Sequence, residues 1–190
     1  MPDPLVAVFD ACVLYPFHLR NIVVRIAVDR LVDARWTDAI HDEWIRNLGA
    51  GMPDIPVARL RTTRALMNAA LPDATVTGYE AHLTKIVLPD AADRHAVAAA
   101  IAAGASVILT WNLRDFPIGE LKKNGLMRQT PDGLLTELYD QAPDLLRASL
   151  ANARRNLSKT RVSAVGFIDI LKNQKLTQLA KRIGRRTADL

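Results

Sequence analysis

The feature of this sequence that most constrains its fold is an alanine-rich segment, residues 91–103, followed at once by a short apolar run. The segment is helical by propensity, and Gly104 fits the position just past a helix end. Residues 107–110 then have the continuous apolar character of a buried strand, as does LVAVF at residues 5–9. Strand, helix and strand in alternation predict an α/β fold with a mostly parallel central sheet flanked by helices.

Hydrophobic period and turn residues predict the remaining elements. Apolar residues recur at helical spacing from Phe17 to Arg35, which predicts one amphipathic helix over that range. The other predicted elements are a helix capped by Thr37 or Asp38 and ended by Gly49 and Gly51, a helix from Val57 to Leu71, a turn at Asn124-Gly125, an edge strand from Leu126 to Gln129, and a helix from Pro131 to Tyr139.

Positive charge is concentrated in the C-terminal quarter of the chain. Residues 147–190 hold 11 Lys and Arg against 2 Asp and Glu, whereas residues 1–146 hold 14 against 18, so +9 and −4 make up the net charge of +5. Such a cluster attracts polyanions such as nucleic acid, although a solvated helix face or a loose tail explains it equally well. We expect one domain over residues 1–140 and a basic extension of two or three helices over residues 141–190.

The chain has the composition of an ordinary globular protein, with 49% hydrophobic and 24% charged residues. The N-terminus lacks the basic flank of a secretory signal, and no apolar run approaches the ~18 residues of a spanning helix. The single cysteine, Cys12, excludes an intramolecular disulfide and suits a reducing compartment. We therefore expect a cytoplasmic protein that does not contact a membrane.

Several acids fall where an α/β sheet places its ligand site, beyond the carboxyl ends of the strands. Asp10 directly follows the first strand, and Asp115 comes five residues after the second. Glu43 borders the apolar stripe of its helix, and Asp90 and Asp93 flank the start of the alanine-rich helix, where one acid is enough to cap it. Each acid alone also has a structural explanation, as a turn residue, an ion-paired boundary residue or a cap.

Carboxylates that converge in one crevice repel each other unless a hard cation neutralises them, which predicts Mg²⁺ or Mn²⁺. Zinc does not fit, because Cys12 and the four histidines have none of the usual ligand spacings. The chain also lacks a Walker A loop and a GxGxxG motif. A Cys12–His nucleophilic pair has no identifiable orienting partner, and an aspartyl-nucleophile phosphatase needs a second Asp where Cys12 stands.

Three blocks of sequence resemble, in order, the PIN-domain nucleases and in particular the VapC-type toxins of bacterial toxin–antitoxin pairs. The blocks are LVAVFDACVLYP, IHDEWIRNL and LPDAADRHAVAAAIAAGASVILTWNLRDFP, within residues 4–140. The resemblance implies a PIN-like three-layer fold with catalytic acids at Asp10, Glu43, Asp93 and Asp115. Asp10, Asp93 and Asp115 would bind the metal. Asp90 and Asn112 would lie next to these ligands without binding the metal directly. Either Asn112 or Asp115 fits the family's fourth position, and we favour Asp115.

The resemblance implies metal-dependent hydrolysis of RNA by a toxin that a cognate antitoxin neutralises. It also implies that the toxin pairs as a homodimer. Basic residues of the extension would supply affinity for the RNA backbone: Arg154, Arg155, Lys181, Arg182, Arg185 and Arg186. Trp111 fits either a core position or a base-stacking one. The face of the first long helix with Ile22 and Ile26, and residues 49–71, are candidate docking surfaces for the antitoxin. The alternative is a non-catalytic RNA-binding or scaffold protein that keeps the PIN fold.

Overall fold

The computed structural model describes residues 4–184 and residue 190. Within these residues, four short strands form one sheet, and every pair of neighbouring strands is parallel. The strands are β1 (Val6–Phe9), β2 (Asp33–Arg35), β3 (Val107–Leu109) and β4 (Met127–Gln129), in the spatial order β2-β1-β3-β4. Because all four run the same way, their carboxyl ends share one edge of the sheet.

The strand order reverses at the boundary between β1 and β3. The chain passes from β1 to its neighbour β2 on one side, and β3 then joins β1 on the other side, in the register Val8 to Ile108. Open α/β sheets bind their ligands in the crevice at such a reversal, outside the carboxyl ends of the strands. The residues that directly follow β1 and β3, Asp10 and Thr110, therefore flank the expected crevice.

Ten α-helices surround the sheet in the described part of the chain. They are α1 (Ala11–Leu14), α2 (Phe17–Val28), α3 (Asp38–Gly51), α4 (Val57–Ala70), α5 (Arg94–Ala102), α6 (Ile118–Lys122), α7 (Pro131–Gln141), α8 (Pro143–Arg155), α9 (Ala164–Asn173) and α10 (Thr177–Ile183). Three 3-10 turns lie at Pro72–Ala74, Tyr79–Lys85 and Ala91–Asp93. The predicted fold class is confirmed: a parallel sheet is flanked by helices and followed by a C-terminal helical region, which is consistent with a PIN-like fold.

The alanines of α5 explain how this helix reaches the centre of the fold. Ala96 and Ala98–Ala100 are at most 1% exposed, and α5 packs against both β1 and β3. Because alanine adds only a methyl group, the helix axis lies close to the sheet. Close packing brings the start of α5 to the edge where β1 and β3 end.

The predicted helix from Phe17 to Arg35 is wrong in its second half. Helix α2 ends at Val28, and residues 33–35 form β2, which pairs with β1. Only the central residue of β2, Ala34, is buried, so this short edge strand has almost no hydrophobic pattern of its own. The tertiary pairing with β1 overrides the helical period that residues 17–28 establish.

The C-terminal helices pack onto the rest of the chain. Helix α8 lies against α2, where the Asn21 side chain donates to the carbonyl of Ala153 at 2.8 Å. The Asp132 carboxylate of α7 accepts the backbone N–H groups of Gln178 at 3.0 Å and Leu179 at 3.1 Å, and so caps α10. The described extension is therefore a bound part of the molecule.

Burial excludes one of the two expected docking surfaces. Ile22 and Ile26 of α2 are fully buried in the core, so this face is not available to a partner. Residues 49–71, in contrast, expose the large apolar side chains of Met52, Val57 and Leu66. Across the described residues, no helix combines the length and the apolar character needed to cross a bilayer.

Candidate functional site

Asp10 lies at the carboxyl end of β1 with its carboxylate held by three donors. Oδ1 accepts the N–H of Ala11 at 2.7 Å, and Oδ2 accepts the Thr110 hydroxyl at 2.7 Å and the Cys12 thiol at 3.1 Å. Burial raises the pKa of Asp10, the bonds from Thr110 and Cys12 lower it, and the charge of Glu43 raises it. The carboxylate is thus fixed in one orientation where the strand order reverses.

Asp90 and Asp93 have different structural roles. The Asp90 carboxylate accepts the N–H of Ala92 at 2.8 Å and caps the 3-10 turn that leads into α5, so Asp90 is the one of the two acids that serves as a cap. Asp93 occupies the cap position of α5 itself, yet its side chain makes no capping hydrogen bond. The carboxylate of Asp93 is therefore not used to begin the helix.

The carboxyl of Asp93 is the most strongly perturbed acid of the site. Burial, followed by repulsion from four other carboxylates, raises the pKa of Asp93 from 3.8 to about 6. In decreasing order of effect, the four are Asp10, Asp115, Asp90 and Glu43. The structure thus brings all five sequence-predicted carboxylates into one electrostatic neighbourhood, although they come from four separate parts of the chain.

Glu43 is held by a residue that the sequence did not single out for this role. Nε2 of His95, on α5, lies 3.2 Å from Oε2 of Glu43, on α3. Both side chains are mostly buried, and the Nδ1 atom of His95 has no hydrogen-bond partner among the described residues. With Nδ1 unpartnered, the contact is best made by an Nε2–H that donates to the carboxylate. Sequence alone could not reveal a contact between residues 52 positions apart.

The loop after β3 carries the remaining candidates, Asn112 and Asp115. The backbone N–H of Asn112 donates to the Thr110 hydroxyl oxygen at 3.0 Å, and the N–H of Asp115 donates to the carbonyl of Asn112 at 3.1 Å. Asn112 is exposed, whereas Asp115 is half-buried. The charge of Asp115 acts on Asp93, which is consistent with a place for Asp115 in the acid cluster.

The acids act on one another electrostatically but do not form a closed cage. In residues 4–184 and 190, no three His, Cys, Asp or Glu side chains lie close enough together to make a ready metal site. Mg²⁺ in proteins usually keeps several waters and takes only one or two carboxylates directly. The residues that could contribute oxygen ligands to such an ion are Asp10, Asp93 and Asp115, and metal binding by them stays a prediction.

Cys12 is an inert neighbour of this cluster. Its sulfur accepts the N–H of Trp111 at 3.3 Å while its thiol donates to Asp10. Burial and the charge of Asp10 raise the pKa of Cys12 to about 12. The thiolate required of a nucleophile is therefore scarce at neutral pH, which disfavours a Cys12–His pair.

The basic residues predicted to bind RNA differ in whether their side chains contact the rest of the chain. Three of them are engaged within the chain: Arg154 donates to the carbonyl of Val162 at 2.9 Å, Arg155 donates to that of Ala151 at 3.2 Å, and Arg182 forms a two-bond ion pair with Asp140 at 2.9 and 2.8 Å. Lys181 is exposed, and Arg185 and Arg186 lie outside the described residues. RNA binding by these residues stays a prediction.

The C-terminal part of the chain is similar to a known protein family. A family model described as VapC50 C-terminal domain matches residues 131–185, which comprise α7 and the helices that follow it. No curated protein and no solved structure matches the chain. The matched segment begins within the sequence-predicted domain of residues 1–140, and it suggests a VapC-family protein.

Proposed function

We propose that this protein is a metal-dependent endoribonuclease that hydrolyses RNA phosphodiester bonds as the toxin of a toxin–antitoxin pair. The observation that supports this most directly is the position of Asp93. Its carboxylate does not cap α5, and its pKa is raised to about 6 by burial and by the other acids of the site. The family match over residues 131–185 supports the same proposal independently, because it concerns a different part of the chain.

The acids of the site would hold Mg²⁺ or Mn²⁺ through Asp10, Asp93 and Asp115, directly or through water. When bound, such an ion polarises a phosphate and makes a bound water more acidic. The ion would also neutralise the clustered negative charge. Without it, the Asp93 carboxylate is repelled by the other four carboxylates of the site.

The other residues of the crevice orient these groups. Thr110 and Cys12 keep the Asp10 carboxylate from rotating, since both donate to the same oxygen. His95 holds Glu43 from the neighbouring helix, which leaves the second oxygen of Glu43 free to orient an attacking water. Basic residues of the extension would add backbone affinity with little sequence selectivity.

The partners that we propose follow from the same assignment. A cognate antitoxin would bind the toxin in the cytoplasm, and a homodimer would be the working unit. For antitoxin contact we favour residues 49–71, because Met52, Val57 and Leu66 expose apolar area there.

The direct test is RNA cleavage by the purified full chain with Mg²⁺ or Mn²⁺, compared with cleavage by Asp93→Asn. We expect the variant to lose cleavage and to keep the circular dichroism spectrum of the wild type. The matched control is Asp73→Asn, an exposed acid of the 3-10 turn at residues 72–74, which should cleave normally. Cleavage by Asp93→Asn at the wild-type rate would contradict the assignment.

The alternative is a non-catalytic RNA-binding or scaffold protein, and one observation favours it. The acids do not form a preassembled three-ligand metal site among the described residues. Titration calorimetry with Mn²⁺ separates the two functions. An active site should take up the ion in the wild type and lose this binding in Asp93→Asn, whereas a scaffold should bind RNA and no ion.

A further inference from the structure

Lys175 is a basic residue that neither the acid cluster nor the packing of the extension accounts for. It follows α9, and its backbone has φ 62°, in the left-handed region where glycine normally ends a helix. A side chain in that conformation costs free energy, and such positions often coincide with functional sites. The chain thus places a lysine where glycine would be more stable.

The side chain of Lys175 extends over Trp111. The ammonium nitrogen lies 6.0 Å from the centre of the indole ring, at the outer limit of a cation–π contact. A contact this long contributes little stability and does not explain the strained backbone. No carboxylate of the described residues pairs with Lys175, whereas its neighbour Lys172 is paired with Asp169 at 3.1 Å.

Trp111 connects this lysine to the acid cluster. Trp111 directly follows Thr110, whose hydroxyl donates to Asp10. The backbone N–H of Trp111 donates to the sulfur of Cys12. Trp111 packs against the hydrophobic core and is only half-buried, so part of the residue is accessible to solvent. A lysine ammonium that no carboxylate of the described residues pairs with and a half-buried tryptophan therefore lie side by side. Thr110, the residue before Trp111, binds one of the acids that we propose to cleave RNA.

We propose that Lys175 and Trp111 form a subsite that holds one nucleotide of a single-stranded RNA beside the acid cluster. The ammonium binds a backbone phosphate, and the indole stacks on the adjoining base. The lysine thus suits the phosphate of a nucleotide and the tryptophan suits its base. Aromatic stacking does not depend on which base is present. An acidic protein segment would use the cation but not the aromatic ring. This inference rests on the proposed function for the identity of its ligand.

Lys175→Gly is the decisive variant, because it removes the charge while it relieves the backbone. Its matched control is Arg30→Gly, which removes one positive charge from another exposed residue with positive φ, 61°. Arg30 lines a groove of about 760 Å³ with Leu31 and Met127, at the amino ends of the strands and away from the acids. Both variants should equal or exceed the Tm of the wild type.

Binding is measured by fluorescence anisotropy with a short labelled single-stranded RNA in EDTA, over a series of salt concentrations. Lys175→Gly should weaken binding several-fold and reduce the slope of log Kd against log salt by about 0.7, the value for one phosphate on a single strand. Arg30→Gly should leave the slope unchanged. An unaltered slope in Lys175→Gly, or a lower Tm in that variant alone, would overturn the proposal.

Trp111 is tested by the same assay and by its fluorescence. Trp36 and Trp44 are fully buried, so quenching by bound RNA should come from Trp111. Trp111→Leu keeps an apolar side chain but removes the aromatic ring, and it should weaken binding about fivefold to a hundredfold, whereas Trp111→Phe should retain most of the affinity. Equal affinity in the Leu and Phe variants would overturn the stacking role.

The outcomes distinguish this inference from the proposed function. If the wild type cleaves RNA and Lys175→Gly binds normally, the subsite is wrong and the nuclease assignment stands. If the wild type does not cleave RNA but Lys175→Gly weakens binding with the expected slope, the subsite is supported and the nuclease assignment fails.

Discussion

The hydroxyl of Thr110 donates a 2.7 Å hydrogen bond to Oδ2 of Asp10, and this bond joins the ends of β3 and β1 at the reversal of the strand order. Thr110 is fully buried and Asp10 is 4% exposed. The bond therefore connects two strands and orients a buried carboxylate at the same time.

Thr110→Val should lower the free energy of unfolding by about 1–3 kcal/mol, because it leaves a buried carboxylate without one of its donors. RNA cleavage should fall as well, since the carboxylate loses a fixed orientation. Urea denaturation at pH 7 measures the first effect. Thr110→Ser keeps the hydroxyl and should retain most of the stability and activity, and equal losses in both variants would contradict this role for the bond.

Asp90 and Asp93 should respond oppositely to alanine. Asp90→Ala removes a helix cap and should cost about 0.5–2 kcal/mol of stability. Asp93→Ala removes a carboxylate that caps nothing and that its neighbours repel, so the free energy of unfolding at pH 7 should stay the same or rise. Denaturation of the two variants in EDTA compares them directly. A loss of stability in Asp93→Ala would mean that Asp93 has a structural role.

His95→Leu should reduce RNA cleavage without a matching loss of substrate affinity, because Glu43 loses the donor that orients it. His95→Gln offers an amide N–H in place of Nε2–H and should recover part of kcat. Steady-state kinetics on an RNA oligonucleotide separates kcat from KM. If the Leu and Gln variants are equally impaired, the histidine contributes packing and not orientation.

His41 should make the fold sensitive to acid. Its Nδ1 accepts the indole N–H of Trp44 at 2.9 Å and its Nε2 contacts Asn68 at 3.1 Å, so the buried ring is held neutral, and burial lowers the pKa of His41 to about 4. Between pH 6.5 and 4 the unfolded state binds a proton that the folded state does not. Stability from this group is therefore complete above pH 6.5 and falls by about 3 kcal/mol as pH approaches 4.

The effect of His41 must be measured as a difference in stability between the wild type and a His41 variant. The reason is that protonation of Asp93 changes the stability in the opposite direction. The raised pKa of Asp93 makes the folded state bind the extra proton between pH 3.8 and about 6. Urea denaturation of wild type and His41→Gln at a series of pH values in EDTA cancels this contribution. The stability advantage of the wild type should shrink on acidification, and a constant advantage would show that the His41 pKa is not lowered.

The sequence predicts the parts of the site that local patterns encode. Asp10 stands out because an apolar strand ends there, and Asp90 stands out because a helix begins there; both positions are as expected. The β2 strand was not predicted, because three residues with one buried alanine leave no period to detect. The contacts of His95 with Glu43 and of Lys175 with Trp111 join distant parts of the chain, so only the tertiary fold creates them.

The cap that Asp132 provides for α10 has a consequence for how the molecule is made. The carboxylate on α7 accepts backbone N–H groups that belong to residues synthesised well after it. A nascent chain that ends before α10 leaves both the carboxylate and the apolar face of α7 uncovered, because α10 packs directly against α7. This cap therefore forms only after α10 has been synthesised, and a chain cut between α7 and α10 would expose apolar surface of the kind that proteases and chaperones recognise.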